Sequence, residues 1–360
     1  MNEVTADAPG RVNLIGEHTD YHQGFVLPTV IAQRTRVYVT ARSDGRVRAE
    51  SRMFGREVRE YVLGAEAPTR TWLDYIQGVT FALRTVAPDL SGFAVVVESD
   101  VPVGSGLASS AALEVSLLRA LRALHEIKLD DVDLARLGQH AETSFVGAPV
   151  GIMDQMACSL GREHEALFLD TRSLSTVRIP LPKTAELVVI NSGISHRHAD
   201  GAYAARRRES FEAARLLGVK WLREVEDPTL VAIAKLPAPL AQRARHVVTE
   251  NRRVQDAAAA MAIGDLARVG SLFQASHVSM RDDYEITAPE IDRLVALGQT
   301  DPDVYGARMT GGGFGGSVVM LAREGMGSEV ARRVLRAYHA GGSKRGTILL
   351  PRDLDQSRTA

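Results

Sequence analysis

The stretch Val101–Glu114, VPVGSGLASSAALE, limits what this chain can fold into more than any other segment. A strand-like run ends at small residues that turn the chain. Leu113, Leu117, Leu121 and Leu124 then recur at i, i+4, i+8 and i+11, which puts one apolar stripe on a helix that must pack against a core. The turn has a second consequence. Backbone N–H groups at a helix start have no intrahelical partner and carry partial positive charge, so they can cradle phosphate. Gly104, Ser105, Gly106, Leu107, Ala108, Ser109, Ser110 and Ala111 are therefore a candidate phosphate loop. Ser109 or Ser110 can offer a hydroxyl to Mg²⁺, although a plain serine N-cap explains the same residues.

Around this stretch the first hundred residues read mostly as strands. Val26 to Val30, Arg36 to Ala41 and Phe93 to Glu98 are apolar or β-branched and bounded by Gly, Pro, Asp or Ser. Val132 to Val146 reads as a helix and Leu187 to Asn191 as a short buried strand. Further helices are expected from Tyr203 to about Gly218 and from about Leu240 to about Ala262. With 360 residues the chain suits two domains, divided in the RIPLPKT stretch from Arg178 to Thr184. We expect domains at 1–182 and 183–360.

A formal net charge of -1 gives no electrostatic footprint for nucleic acid or an anionic membrane. No apolar run is long enough for a membrane helix, and the N-terminus lacks the pattern of a signal peptide. The single cysteine, Cys158, excludes an internal disulfide and a multi-cysteine metal site, and reads as a small buried apolar residue. These features fit a cytoplasmic protein, with a monomer as the default.

Three other segments carry chemistry. Gly10 to Pro28, GRVNLIGEHTDYHQGFVLP, gathers Arg11, Glu17, His18 and Asp20, a mixture able to satisfy several hydroxyls of a polyol; a charged hairpin turn is the alternative. In GAPVGIMDQ, Gly147 to Gln155, Asp154 stands in an apolar run, either as half of a structural ion pair or as a base held by Arg or Lys. Glu142, twelve residues earlier, is a metal-ligand candidate or part of a solvated helix face. In ARMTGGGFGGSVVMLA, Gly311, Gly313 and Gly316 satisfy GxGxxG, yet an apolar strand follows where a dinucleotide fingerprint would open a helix. A glycine loop in that setting suits close approach to a ligand or another loop. No Walker A, DFG or HRD signature is present.

Taken in their order along the chain, the segments resemble the signature motifs of the GHMP kinases, and Gly10 to Pro28 resembles the galactokinase signature in particular. WLDYIQGV, AYAARRRE and DDYEITAPEID extend the similarity over nearly the whole chain. The resemblance implies an α+β fold of two domains, the first ribosomal S5 domain 2-like and the second ferredoxin-like, with the active site in the interdomain cleft. It implies phosphorylation of D-galactose at the anomeric hydroxyl by ATP with Mg²⁺. It assigns Arg11 and Asp154 to the reacting hydroxyl, and Glu17, His18, Asp20, Gly151 and Tyr203 to the sugar. Residues 104 to 111 match the phosphate loop, Ser110 and Glu142 the magnesium ligands, and Trp72 a position near the nucleotide base. His22 and Gln23 stand where the signature usually has Asn and a small residue, Ala108 replaces the first of three serines, and Val150 a usual Cys. His22 leaves open a shifted preference among hexoses. Kinases of N-acetylgalactosamine, arabinose or galacturonate, and a non-catalytic galactose sensor, are the competing readings.

Overall fold

A computed structural model describes residues 2–194, 199–226, 230–343 and 345–351. The chain opens with β1 (Glu3–Asn13), β2 (Phe25–Val26), β3 (Pro28–Ala41), β4 (Arg46–Ser51) and β5 (Glu57–Val62). Helix α1 (Leu73–Leu83) and strand β6 (Phe93–Ser99) lead to α2 (Ser109–Leu124) and α3 (Asp131–His140). A π-helical turn at Ala141–Val146 and helix α4 (Met153–Leu160) follow. Next come β7 (Glu165–Asp170), β8 (Thr176–Pro180), β9 (Ala185–Asn191), α5 (Ala199–Leu216) and α6 (Leu230–Ile233). Helices α7 (Leu240–Ala262), α8 (Leu266–Asp282) and α9 (Pro289–Gln299) precede β10 (Val304–Thr310), β11 (Ser317–Arg323), α10 (Gly327–Ala340) and β12 (Thr347–Leu350).

The helix expected from about Leu240 to about Ala262 is α7, and the stripe of Leu113, Leu117, Leu121 and Leu124 lies on α2. The strand read at Val26 to Val30 is the end of β2 and the start of β3, with Leu27 between them. The helix read at Val132 to Val146 changes pitch at Ala141. Its start is well specified: Asp130 and Asp133 form a reciprocal capping box around α3. Helix α1 lies within the stretch read mostly as strands. Its first turn is held by Asp74, whose carboxylate accepts from the backbone N–H groups of Thr69 and Arg70.

The chain forms two compact units. The first is Met1–Arg11, Val30–Val103 and Leu107–Glu163; the second is Val12–Thr29, Gly104–Gly106 and His164–Ala360. Strand β8 takes in the first three residues of the stretch read as a linker and β9 follows it directly, and both strands lie in the second unit.

In the first unit β3 pairs antiparallel with β6, β6 parallel with β4, and β4 antiparallel with β5, while β1 runs beside β3. Val37, Val39, Val47, Phe93, Val95 and Val97 alternate along these strands and share one core with Ile76, Val79, Leu83, Leu117, Leu121 and Leu134 from the helices. Period-2 burial in the strands and period-3.6 burial in α1 and α2 thus meet in one layer. Each such buried side chain contributes about 1.5–3 kcal/mol.

The second unit holds an antiparallel sheet ordered β10-β11-β9-β12. Val188, Ile190, Met309, Val318 and Met320 from this sheet pack with Val247, Met280, Ile291, Leu294 and Val334 from the helices. Strand β2 pairs antiparallel with β7, and β7 with β8; β7 also pairs with the first residues of β3, Thr29 opposite Ala166. Among the described residues no helix is long and apolar enough to cross a membrane.

Helix α8 approaches β10 backbone to backbone, because both contact positions are glycine. A Cβ on Gly270 would be driven into the carbonyl oxygen of Tyr305, and one on Gly306 into the backbone of Gly270. Neither obstacle is a flexible side chain end, so the helix or the strand itself would have to move. Gly270→Ala is therefore expected to cost at least about 2 kcal/mol in urea unfolding, by overpacking; an unchanged midpoint would mean that α8 stands off the sheet.

Candidate active site

In the first unit, Arg11 near the end of β1 meets Asp154 in the first turn of α4. Arg11 Nε donates to Asp154 Oδ1 at 2.8 Å and Nη2 donates to Oδ2, a two-point pairing. The Arg11 side chain is 5% exposed and that of Asp154 27%. The guanidinium is thus fixed and dry, while the carboxylate keeps a face open to a reactant. Gly151 is buried in the turn that delivers α4.

Glu142 is buried on the π-helical turn, a distortion that recurs at functional sites. It accepts from the Ser110 hydroxyl, and Gln155 Nε2 donates to its Oε2 at 2.7 Å. Burial first, and then the charge of Asp154, push its pKa up to about 7. The reading of Glu142 as a solvated helix face is excluded by that burial.

Two hard oxygen donors, the Ser110 hydroxyl and the Glu142 carboxylate, thus meet where negative charge is held at a cost. A divalent cation would offset that cost, and oxygen ligands of this kind suit Mg²⁺.

Helix α2 starts at Ser109. Its N-cap position is Ala108, with a positive φ of 59° and no side-chain cap, so the serine N-cap reading does not hold. The first-turn N–H groups of α2 are left to an outside acceptor, and the left-handed Ala108 is the kind of strained residue that accompanies a ligand site. Leu107–Ala111 belong to the first unit. Gly104–Gly106 count with the second, where Ser317 Oγ donates to the Ser105 carbonyl at 2.8 Å. Gly104 and Gly106 both have positive φ, 72° and 78°, a conformation open to glycine.

Trp72 and Phe54 help line a cavity of about 100 Å³ in the first unit, with Tyr75, Ser109, Ser110 and Leu113. Trp72 Nε1 donates to Glu57 Oε2 at 3.0 Å, which fixes the indole. The cavity combines aromatic walls with the hydroxyls at the start of α2, a setting for a flat ring with a polar tail.

In the second unit, the remaining signature residues gather at the glycine-rich loop. Glu17 is buried; it pairs with Arg308 and accepts from Gly311 N at 3.1 Å. Burial raises its pKa, against the pull of Arg308. His18 meets the Tyr21 hydroxyl through Nδ1 at 2.7 Å and the Gly312 carbonyl through Nε2 at 3.1 Å. A carbonyl only accepts, so Nε2 carries the proton, and burial pushes the ring down to about 3, keeping it neutral. The Tyr203 ring lies 5.0 Å from that of His18. Asp20 is half-buried and accepts from Tyr21 N at 2.9 Å.

The structure thus brings Arg11, Asp154, Ser110 and Glu142 together in one unit, and Glu17, His18 and Tyr203 with the glycine loop in the other. Sequence reasoning passed over Gln155, Glu114 and Arg308. Each lies inside a motif that was singled out, and a lone acid within the otherwise apolar start of α2 was the available signal for Glu114.

The GHMP kinases N terminal domain matches residues 74–162, the GHMP kinases C terminal residues 257–340, and the galactokinase galactose-binding signature residues 2–41. A galactokinase of Roseiflexus sp. (strain RS-1) is 42% identical over 358 residues, 98% of this chain and 92% of that protein. The chain belongs to the GHMP kinases, in their galactokinase branch. It is a kinase with the two-domain α+β fold of that family. The crystal structure of Lactococcus lactis galactokinase complexed with galactose superposes with a TM-score of 0.92 at 31% identity, covering 96% of this chain and 92% of that one. Methanococcus jannaschii mevalonate kinase shares the fold, with a TM-score of 0.66 at 17% identity and 96% of each chain covered.

His22, which departs from the family signature, does not read a ligand. Its ring is fully buried 4.4 Å from that of Phe211; Nε2 contacts Ser210 Oγ at 2.8 Å, and Nδ1 accepts from Leu222 N at 3.4 Å. One nitrogen is spent on Ser210 of α5 and the other on the turn that begins at Leu222, so His22 gives no ground for a shifted sugar preference. Burial, and then the charge of Arg207, lower its pKa from 6.5 to about 3. The unfolded chain takes up this proton below pH 6.5 while the folded one refuses it, so the stabilisation is complete above 6.5 and fades as pH falls toward 3. His22→Asn is expected to flatten the acid loss of unfolding free energy between pH 6.5 and 4 by up to about 1.4 kcal/mol per pH unit. Urea titrations of both proteins at several pH values check this; parallel curves would rule out a buried neutral His22.

Proposed function

We propose that the chain transfers the γ-phosphoryl group of ATP to the anomeric hydroxyl of D-galactose, giving α-D-galactose 1-phosphate and ADP. The observation that carries the reading is the Arg11–Asp154 pair, a buried two-point ion pair that leaves one face of the carboxylate accessible. Phosphoryl transfer asks little covalent chemistry of the protein, so placement and charge account for most of the catalysis.

In this mechanism Asp154 orients the anomeric hydroxyl and accepts its proton as the oxygen attacks phosphorus. Arg11 aims Asp154 through the two-point pairing and steadies charge on the transferring group. The uncapped N–H groups of residues 108 to 111, with the turn at Gly104, Ser105 and Gly106, hold the phosphates. Trp72 lies against the nucleotide base. Ser110 and Glu142 would hold Mg²⁺, which supplies charge neutralisation at the phosphates. Asp20, Tyr203, Gly151, Glu17 and His18 read the sugar. A carboxylate has about four acceptor sites, so Glu17 keeps capacity beyond Arg308 and Gly311. Cys158 is free and buried, as suits a reducing cytoplasm, and one copy of the chain supplies every group named.

The test is ADP release with ATP and Mg²⁺ across galactose, glucose, N-acetylgalactosamine, arabinose and galacturonate, with the product checked for the 1-phosphate. Selective turnover of galactose is expected. A site that hydrogen-bonds hydroxyls separates such sugars by orders of magnitude, so turnover of another sugar would transfer the reading to it. Binding without turnover of any sugar would mean a sensor. Asp154→Asn, with circular dichroism unchanged, is expected to lose at least 10² to 10⁴ in kcat, about 3 to 5.5 kcal/mol of barrier. Retention of most of the turnover would remove Asp154 from the chemistry.

A further inference from the structure

We infer that Gln155 and Glu114 are positioning residues for Glu142, a bracket that holds this carboxylate toward Ser110. The inference rests on the reading of Ser110 and Glu142 as the metal ligands.

The geometry is a closed ring of side chains within the first unit. Ser110 and Glu114 are four residues apart on α2 and so share one face of that helix. Ser110 donates to Glu142 on the π-helical turn. Gln155, on α4, spends its amide on both acids, with Nε2 to Glu142 Oε2 at 2.7 Å and to Glu114 Oε2 at 3.0 Å. An NH₂ group has two hydrogens, and both are committed to carboxylates. The ring therefore fixes Glu142 from two sides, through α2 and through α4.

Two further observations indicate that the arrangement serves placement. Helix α3 clears room for it: a Cβ on Gly138 would meet Gln155 Cγ at 3.0 Å and Glu114 Oε2 at 3.4 Å. The ring is also costly, since Glu114 Oε1 and Gln155 Oε1 are buried with no hydrogen-bond partner. Buried polar atoms left unpaired destabilise a fold, and apolar residues of the same volume would serve stability better. Partners behind a metal ligand set its orientation, and their loss typically weakens metal binding by about 10–100-fold.

The test uses the full chain and reads ADP binding by calorimetry over a range of Mg²⁺ concentrations, together with the Mg²⁺ needed for half-maximal turnover. Gln155→Met, close in volume and unable to hydrogen-bond, is expected to raise both Mg²⁺ requirements by about tenfold or more. The KM for the sugar and ADP binding without metal should stay within about threefold, which a merely structural defect would not spare. Glu114→Met should move in the same direction. Glu114→Gln, which keeps an oxygen to accept from Gln155, should stay within about threefold of the parent. An unchanged Mg²⁺ requirement in Gln155→Met, beside a large shift in Glu142→Ala, would overturn the bracket and leave the metal reading intact. No shift in Glu142→Ala would overturn the metal reading itself. Should Gln155→Met fail to fold, Glu114→Met decides, because it breaks the same ring from α2.

Discussion

A dry guanidinium with a half-open carboxylate in front of it sets the terms for the first unit. Arg11 could not be buried alone, because an unpaired interior charge costs several kcal/mol. The start of α4 must therefore deliver Asp154 to the end of β1, and the turn through buried Gly151 is how the chain does so. The carboxyls of Glu142 and Glu114 lie in the field of Asp154, and burial together with neighbouring acids raises the pKa of both. Three carboxyl groups thus gather beside the uncapped end of α2, where a cation carrying phosphates is the natural complement.

In the second unit the corresponding device joins two stretches far apart in sequence. Glu17 and His18 from the first motif hold Gly311 and Gly312 from the last. The loop can accept these bonds because its glycines take backbone conformations that other residues seldom adopt: Gly311, Gly313, Gly315 and Gly316 all have positive φ. A Cβ on Gly313 would in addition collide with Ile286. The loop is shaped from behind by packing and in front by two signature side chains.

Much of this was legible in the sequence, since the motifs concentrate residue types that are rare together. Residue type and spacing point to Asp154, to Glu142 and to Ser109 or Ser110, the family resemblance selects Ser110 and joins Arg11 to Asp154, and the structure places Arg11, Asp154, Ser110 and Glu142 in one unit. What could not be read is which polar groups answer one another across long sequence intervals. Gln155 was quoted within its motif without a role, because nothing local shows that its amide lies between Glu114 and Glu142. His22 was misjudged for the same reason: adjacency to Asp20 in sequence suggested the ligand, while the ring turns to Phe211 and Ser210. Helix α1 was obscured by the strand-rich run around it, although Leu73, Ile76, Val79 and Leu83 carry its buried stripe.

The chain has two tryptophans, and they fall one to each unit. Trp72 stands at the wall of the aromatic cavity with its indole N–H tied to Glu57. Trp221 sits edge-on to Phe211, with Lys220 over its ring. Each unit therefore contains its own optical reporter, and replacing either indole by phenylalanine would leave an emission signal that belongs to one unit alone. Melting of the two halves could then be followed separately in the intact chain, without any added label.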